Sequence, residues 1–192
     1  MTVVVITAPT VEPVSLAEAK EQCRIFHNSE NTLIDRLCRV ARAHVETVLS
    51  RALMTQSLRL ELSAFPSDGI IELPRPPAIS VTDIKYRDTS GIIQTLDAAS
   101  YVPVLDPTGA RIELASGYEW PPTFVHPAAV QVNWQAGYGG TYDKVPDAIR
   151  HAILLLVEHL YTNRGATSDS NRNQIPFSVD ALLAPYRTTG WI

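Results

Sequence analysis

The sequence is poor in residues that announce a chemistry by themselves. Only two cysteines occur in 192 residues, Cys23 and Cys38. Both fall inside helical patterns, so two reduced, buried thiols are expected rather than a disulfide or a metal site. Nine glycines against fourteen prolines point to stiff turns rather than flexible linkers. Charged residues make up 19% and the net charge is −4, which excludes a general attraction for nucleic acid or an anionic membrane. The apolar run at residues 152–157 is far short of the ~20 residues a membrane span needs. The start, M-T-V-V-V-I-T-A-P, lacks the basic residues and the longer apolar stretch of a secretory signal, and none is expected. There is no internal repeat and no low-complexity tract. Hydrophobic residues, at 45%, are enough for a real core in one domain or two small ones.

What is present centres on residues 145–164, V-P-D-A-I-R-H-A-I-L-L-L-V-E-H-L-Y-T-N-R. Pro146 suits the first helical position, Asp147 complements the positive end of the helix dipole, and Gly165 is a natural stop. Ile149, Ile153, Leu156, Val157 and Leu160 recur at helical spacing. Ala152, Leu154, Leu155 and Tyr161 widen the stripe, so the helix is expected to be covered on more than one side. Each large aliphatic side chain buried there contributes roughly 1.5–3 kcal/mol. This is the expected core or subunit-interface helix, with Ile149, Ile153, Leu156, Val157, Leu160 and Tyr161 as its contact residues.

Upstream, residues 3–6 are β-prone and suit an edge strand, on this subunit or on a neighbour. Ser15-Leu-Ala-Glu18 is a capping box that opens a short helix with Leu16, Ala19, Cys23 and Phe26 or His27 on its apolar face. Asn28 or Ser29 is expected to cap a longer helix. Its stripe is Leu33, Leu37, Val40, Ala41, His44 and Val48, with Ile34, Cys38, Val45 and Leu49 beside it. These two helices form a hairpin that lacks a partner until the Pro146 helix arrives. The period then changes to two: Leu58, Leu60 and Leu62 alternate with Arg59 and Glu61. Further strands are expected at 69–73, 81–86, 92–96, 101–105 and 110–114, with Val130, Val132 and Trp134 in the last one. Turns fall at Asp88-Thr-Ser-Gly91 and Asp106-Pro-Thr-Gly109. Ser178 is expected to cap a short helix with Val179, Leu182 and Leu183, ended by Pro185.

Strands grouped together rather than interleaved with helices indicate α+β. The expected architecture is a helical bundle, made of an N-terminal helical hairpin, a long C-terminal helix and a short last helix, with an inserted antiparallel β module. The boundaries read as 1–54 for the N-terminal arm and hairpin, 55–143 for the inserted β module, 144–187 for the rest of the helical module, and 188–192 for a tail.

A catalytic constellation is not visible. His151, Glu158 and His159 share the central helix without an i, i+4 histidine pair and third ligand. His44 on an apolar stripe is more often a satisfied core histidine than a ligand. Gly137-Tyr-Gly-Gly140 lacks the lysine and the serine or threonine of a phosphate loop, and a turn is favoured. Ser63, Ser67 and Ser100 have no nucleophile elbow around them. Nothing pairs Asp83, Asp88, Asp97, Asp106 and Glu113 as acid and base. The residues alone lead to an α+β protein with no catalytic, cofactor-binding or metal residue to name.

The order of the segments leads further. The runs L-P-R-P-P-A-I-S-V-T-D-I-K-Y-R-D-T-S-G (73–91), G-Y-E-W-P (117–121) and A-V-Q-V-N-W-Q-A-G-Y-G (129–139) are followed by the Pro146 helix and by L-L-A-P-Y-R (182–187). Together with Tyr101 and the opening S-L-A-E-A-K, they resemble the head–tail connector, or adaptor, proteins of tailed bacteriophages and gene transfer agents. The likeness is to the longer branch with an inserted β module, and it covers nearly the whole chain. It implies a structural, non-enzymatic subunit without a cofactor, made in the bacterial cytoplasm and resident in the neck of the virion. Such subunits form a ring, a dodecamer, below the portal protein. The ring extends the DNA channel, lets DNA through its lumen without specific binding, and docks a stopper or other tail-side neck protein. No membrane is involved. The resemblance assigns portal contact to Pro185, Tyr186, Arg187, Trp191 and Ile192, and removing residues 186–192 is expected to leave a folded subunit that no longer binds portal. The alternative is a stopper or tail-completion protein of the same neck. An enzyme or a ligand-binding β domain stands well behind both.

Overall fold

The computed structural model describes residues 1–163 and 177–187. Its described residues contain four α-helices and two antiparallel sheets, so the fold is α+β. The chain divides into two compact units. A helical unit takes Thr10–Met54 and the described residues from Gly139 on. A sheet unit takes Met1–Pro9 and Thr55–Tyr138. The first fifty-four residues are therefore shared between the two, because the opening strand joins the sheet.

In the helical unit, α1 (Leu16–Gln22) opens on the capping box. The Ser15 hydroxyl accepts from the Glu18 amide at 3.1 Å, and the Glu18 carboxylate accepts from the Ser15 amide at 2.8 Å. The helix stops before Cys23, and Arg24 takes a left-handed φ of 56°. That break in phase turns Ile25 inward and leaves Phe26 92% exposed, so Phe26 is not on the apolar face where helical spacing puts it.

Helix α2 (Asn31–Leu49) has Glu30 at its N-cap without a side-chain bond. Asn28 and Ser29 do not cap it, since both are engaged elsewhere. Asn28 accepts from the Lys20 ammonium, and the Ser29 hydroxyl bonds the His27 ring, each at 2.8 Å. The buried stripe of α2 is Ile34, Cys38, Ala41, Val45 and Leu49. It is rotated by one residue from the expected one: Leu33, Leu37, His44 and Val48 are half-buried and Val40 is exposed. The apolar arc of α2 is wider than one contact needs, and the helices packed against it, α1 and α3, select which part is sealed.

Helix α3 (Asp147–Thr162) begins one residue after Pro146 and buries Ile149, Ala152, Ile153, Leu156 and Val157. Its stop lies at Asn163, and Gly165 falls outside the described residues. Helix α4 (Phe177–Leu183) packs on α3 through Val179 and Leu183. Ser178 is inside it rather than capping it.

In the sheet unit the five-stranded sheet has the order β1 (Thr2–Thr7), β2 (Gln56–Leu62), β8 (Val130–Ala136), β4 (Ala78–Arg87), β5 (Ile93–Thr95). The three-stranded sheet has the order β3 (Ile70–Leu73), β7 (Ala110–Leu114), β6 (Tyr101–Val104). Every pairing is antiparallel. Alternation sends one face of each sheet inward. Leu58, Leu60, Val132, Trp134 and Ile84 are buried from the large sheet, and Ile71, Leu73, Ala110 and Ile112 from the small one. On the opposite face of the large sheet Arg59 donates to Asn133 at 2.9 Å and Asn133 donates to Asp83 at 2.5 Å. Asp88 holds the β4–β5 turn by accepting from the amides of Ser90 and Ile92 at 2.9 and 3.0 Å.

Candidate assembly surfaces

Polar side chains that the sequence offers to catalysis are committed to local structure. Glu158 accepts from the Gln22 amide at 2.6 Å. Asp97 caps a tight turn at Ala99, Asp106 holds the turn at Thr108, and Glu113 pairs with Arg111 at 2.6 Å. The buried Ser100 hydroxyl donates to the Asp97 carbonyl at 2.5 Å. His151, Ser63 and Ser67 are exposed, and His44 and His159 are half-buried. Among the described residues no group of three or more histidines, cysteines, aspartates and glutamates could hold a metal, and no helix is long and apolar enough to cross a membrane. Gly137, at a φ of 124°, needs the left-handed region, and a Cβ on Gly139 would meet the Lys144 side chain at 2.7 Å. Those glycines serve a tight chain reversal rather than a phosphate.

Cysteine chemistry is muted as well. Neither thiol is in a disulfide; Cys38 is buried and Cys23 half-buried, so only one of them has the burial expected from its helical position. Burial pushes the Cys38 thiol up to about 12, and the carboxylates of Glu12 and Asp35 add to the rise. At neutral pH it carries almost no thiolate, the nucleophilic form.

Of the predicted contact residues on α3, Ile149, Ile153, Leu156 and Val157 are core side chains of the helical unit. Leu160 and Tyr161 are half-buried, with the Tyr161 hydroxyl donating to Glu30 at 2.6 Å. The same helix is tied laterally by Arg150. Its guanidinium bonds the Pro13 carbonyl at 3.2 Å, pairs with Glu18 and with Asp147, and lies 5.1 Å over the Tyr142 ring. Burial alone raises the Glu18 carboxyl, but the Ser15 hydrogen bonds and the Arg150 cation outweigh it and hold Glu18 below the usual carboxylate range. A second cation, Arg42, bridges Glu12 and Glu46 at 2.8 Å each, and Glu46 also accepts from the Leu53 amide at 2.9 Å.

At the C-terminal side, Pro185 and Arg187 are exposed and Tyr186 is half-buried. The buried Arg51 side chain donates to the Tyr186 carbonyl at 2.7 Å, and Arg187 pairs with Asp180 at 2.9 Å. This end of the chain is anchored as far as Arg187. Trp191 and Ile192 lie outside the described residues. The Tyr186 anchor also moves the informative truncation point: a cut before Tyr186 strips Arg51 of that acceptor, whereas a cut after Arg187 leaves it in place.

Several apolar features escape a period-based reading. In the helical unit a groove of about 620 Å³ runs past Leu16, Ile25 and the exposed Phe26. In the sheet unit Phe65 stacks on Trp120 with centroids 4.7 Å apart, beside an open cavity of about 410 Å³ that reaches Pro121 and Pro122. Phe124 and Val125 stand exposed on the same loop. The only sequence signal for this patch is apolar residues in a stretch that obeys neither a helical nor a strand period. At the sheet edge, β1 exposes Val4, Val5 and Ile6.

These surfaces suit contact with other chains, and comparison with known proteins gives them a setting. No family model matches the chain, and no curated protein matches it. Solved structures do. A chain from the neck of an empty gene transfer agent particle, determined with C6 symmetry, is 25% identical with a TM-score of 0.83 over 100% of this chain and 98% of that one. A chain from the virion of a native gene transfer agent particle is similar to the same degree. A third, from the neck of a native particle determined with C12 symmetry, shares the fold at 24% identity and a TM-score of 0.77. The likeness localises this protein to the neck of a virion. It supports a structural neck component.

Proposed function

We propose that the chain is a head–tail connector subunit of a phage or phage-like particle. Copies of it form a ring, a dodecamer, under the portal protein, extend the DNA channel, and present a surface to the stopper or next tail-side component. The observation that carries this reading is the end-to-end likeness to a chain from the neck of a gene transfer agent particle, a neck determined with C6 symmetry. Within it, the helical unit acts as the ring-building bundle and the sheet unit as an insertion. Pro185, Tyr186 and Arg187 stand at the base of the portal-contacting segment that Trp191 and Ile192 complete. With Ile149, Ile153, Leu156 and Val157 turned into the core, Leu160 and Tyr161 are the two of the six predicted α3 contact residues left to meet a neighbour. A net charge of −4 agrees with a lumen that DNA slides through without being gripped. The protein acts by assembly, not by catalysis.

The test is co-sedimentation of the purified chain with assembled portal, followed by imaging of any complex. The expected result is a ring of this chain seated on the portal. Truncation after Arg187 is expected to leave thermal unfolding unchanged and to abolish that binding. Normal portal binding by the truncated protein would remove the tail from the interface. A full-length chain that ignores portal but binds tail components would make it a stopper or tail-completion protein.

A further inference from the structure

Edge strands of free-standing sheets are guarded by shortness, proline, charge or bulges. In this unit β3 has four residues with Glu72 among them and β6 has four with Pro103 among them, while β5, with three residues, has neither charge nor proline and is limited only by its length. Strand β1 has six residues, T-V-V-V-I-T, with neither charge nor proline. Its pairing with β2 is regular from Thr2 to Val5, and the one bulge comes after that. It is also apolar on both faces. Val3 and Val5 pair beside the buried Leu60 and Leu58, with Val3 half-buried and Val5 43% exposed, while Val4 pairs beside Arg59 on the other face. Such a run is the composition of an interior strand, covered on both faces and paired on both sides. Among the described residues β1 is paired on one side only.

The opposite edge of the same sheet is β5, which with Ile92 reads I-I-Q-T and leaves Ile92 59% and Ile93 53% exposed. A closed ring needs two different, mutually complementary patches on every copy. Two uncharged open edges at opposite ends of one sheet meet that need. We propose that β1 of one copy pairs with β5 of the next, so that the sheet continues from subunit to subunit around the ring. This deepens the connector reading and rests on it.

Strand direction makes the proposal specific. Five strands joined by four antiparallel pairings leave β1 and β5 running the same way. A rotation by one step of a large ring barely reorients the sheet, so the new pairing is parallel. A two-fold contact of β1 with its own copy would be antiparallel and would close a dimer instead.

The test uses particles assembled with the full chain in a Cys23→Ser background, since Cys38 is buried. Thr2→Cys or Val4→Cys is combined with Ile93→Cys or Thr95→Cys, treated with a short bismaleimide and resolved under denaturing conditions. The expected result is a ladder of multimers from double variants and none from single ones. The better partner should shift from Ile93 toward Thr95 as the first cysteine moves from Thr2 to Val4, as parallel pairing requires. Val4→Lys, a change at an exposed side chain, should leave the subunit folded and reduce its incorporation at least about ten-fold. Dimers from Val4→Cys alone, or normal incorporation of Val4→Lys, would overturn the proposal. If the double variants stay monomeric in particles that carry the chain in their neck, the sheet contact falls and the connector reading stands. A chain absent from the particles would overturn both.

Discussion

The two units hold themselves together by different means. In the helical unit, side chains distant in sequence do the lateral tying: Arg42 joins Glu12 to Glu46, Arg150 joins Glu18 to the Pro13 carbonyl, and Arg51 holds the carbonyl of Tyr186. In the sheet unit the ties are backbone ladders, and the side-chain bonds are local or, like Arg59 to Asn133 and Asn133 to Asp83, run between neighbouring strands. A unit knit by charged side chains closes on itself, because its polar groups find partners within it. A unit knit by ladders ends wherever a ladder has no next strand. That contrast explains why, among the described residues, β1 is an open apolar edge, and why the proposed contact between copies lies there.

The largest expected effects test whether the units are separate cores. Ile153→Ala in α3 and Leu60→Ala in β2 each remove a fully buried side chain, and each should cost about 2–5 kcal/mol in urea unfolding. Hydrogen exchange should locate the loss of protection in the unit that carries the change. Equal loss in both units for either variant would erase the distinction.

A smaller effect sharpens the contrast between the two kinds of tie. Arg42 is flanked by two carboxylates, and all three side chains are less than one-fifth exposed. Arg42→Ala removes the cation that both carboxylates share and should cost about 2–3 kcal/mol, discounted from the fully buried case for residual solvent. Arg59→Ala breaks a bond to a neutral amide and should cost about 1 kcal/mol. Equal losses in denaturant titration would argue that charge is not what distinguishes the helical unit.

The smallest effect is in pH. Glu18 titrates below its ordinary value in the folded state, so its contribution is fully present above the ordinary carboxylate pKa of about 4.3 and is lost as pH falls through the lower folded value. Glu18→Gln should therefore be less stable than the parent at pH 7, with the gap closing in acid. A gap that stays constant down to strongly acidic pH would mean that the charge of Glu18 contributes nothing.

Much of the architecture is legible in the chain alone, where local chemistry decides. The Ser15–Glu18 capping box, the helix after Pro146, the Asp88 turn and the alternation of Leu58 and Leu60 each depend on neighbours within a few residues. Where a choice is made between distant partners, the sequence is silent or misleads. Asn28 and Ser29 have the chemistry of helix caps, but Lys20 and His27 take them. The stripe on α2 is broad enough to be buried in either of two rotations, and its packing partners select one. Phe26 has the spacing of a core residue and is turned out by a single left-handed residue before it.

The opening strand marks the division most clearly. The run T-V-V-V-I-T by itself determines that residues 2–7 are extended and want cover on both faces, because β-branched side chains suit a pleated surface and offer water nothing. Only the tertiary structure decides that the strand pairs with β2 on one side and, among the described residues, with nothing on the other, because strand pairing joins residues fifty or more apart and no local rule chooses among partners at that distance.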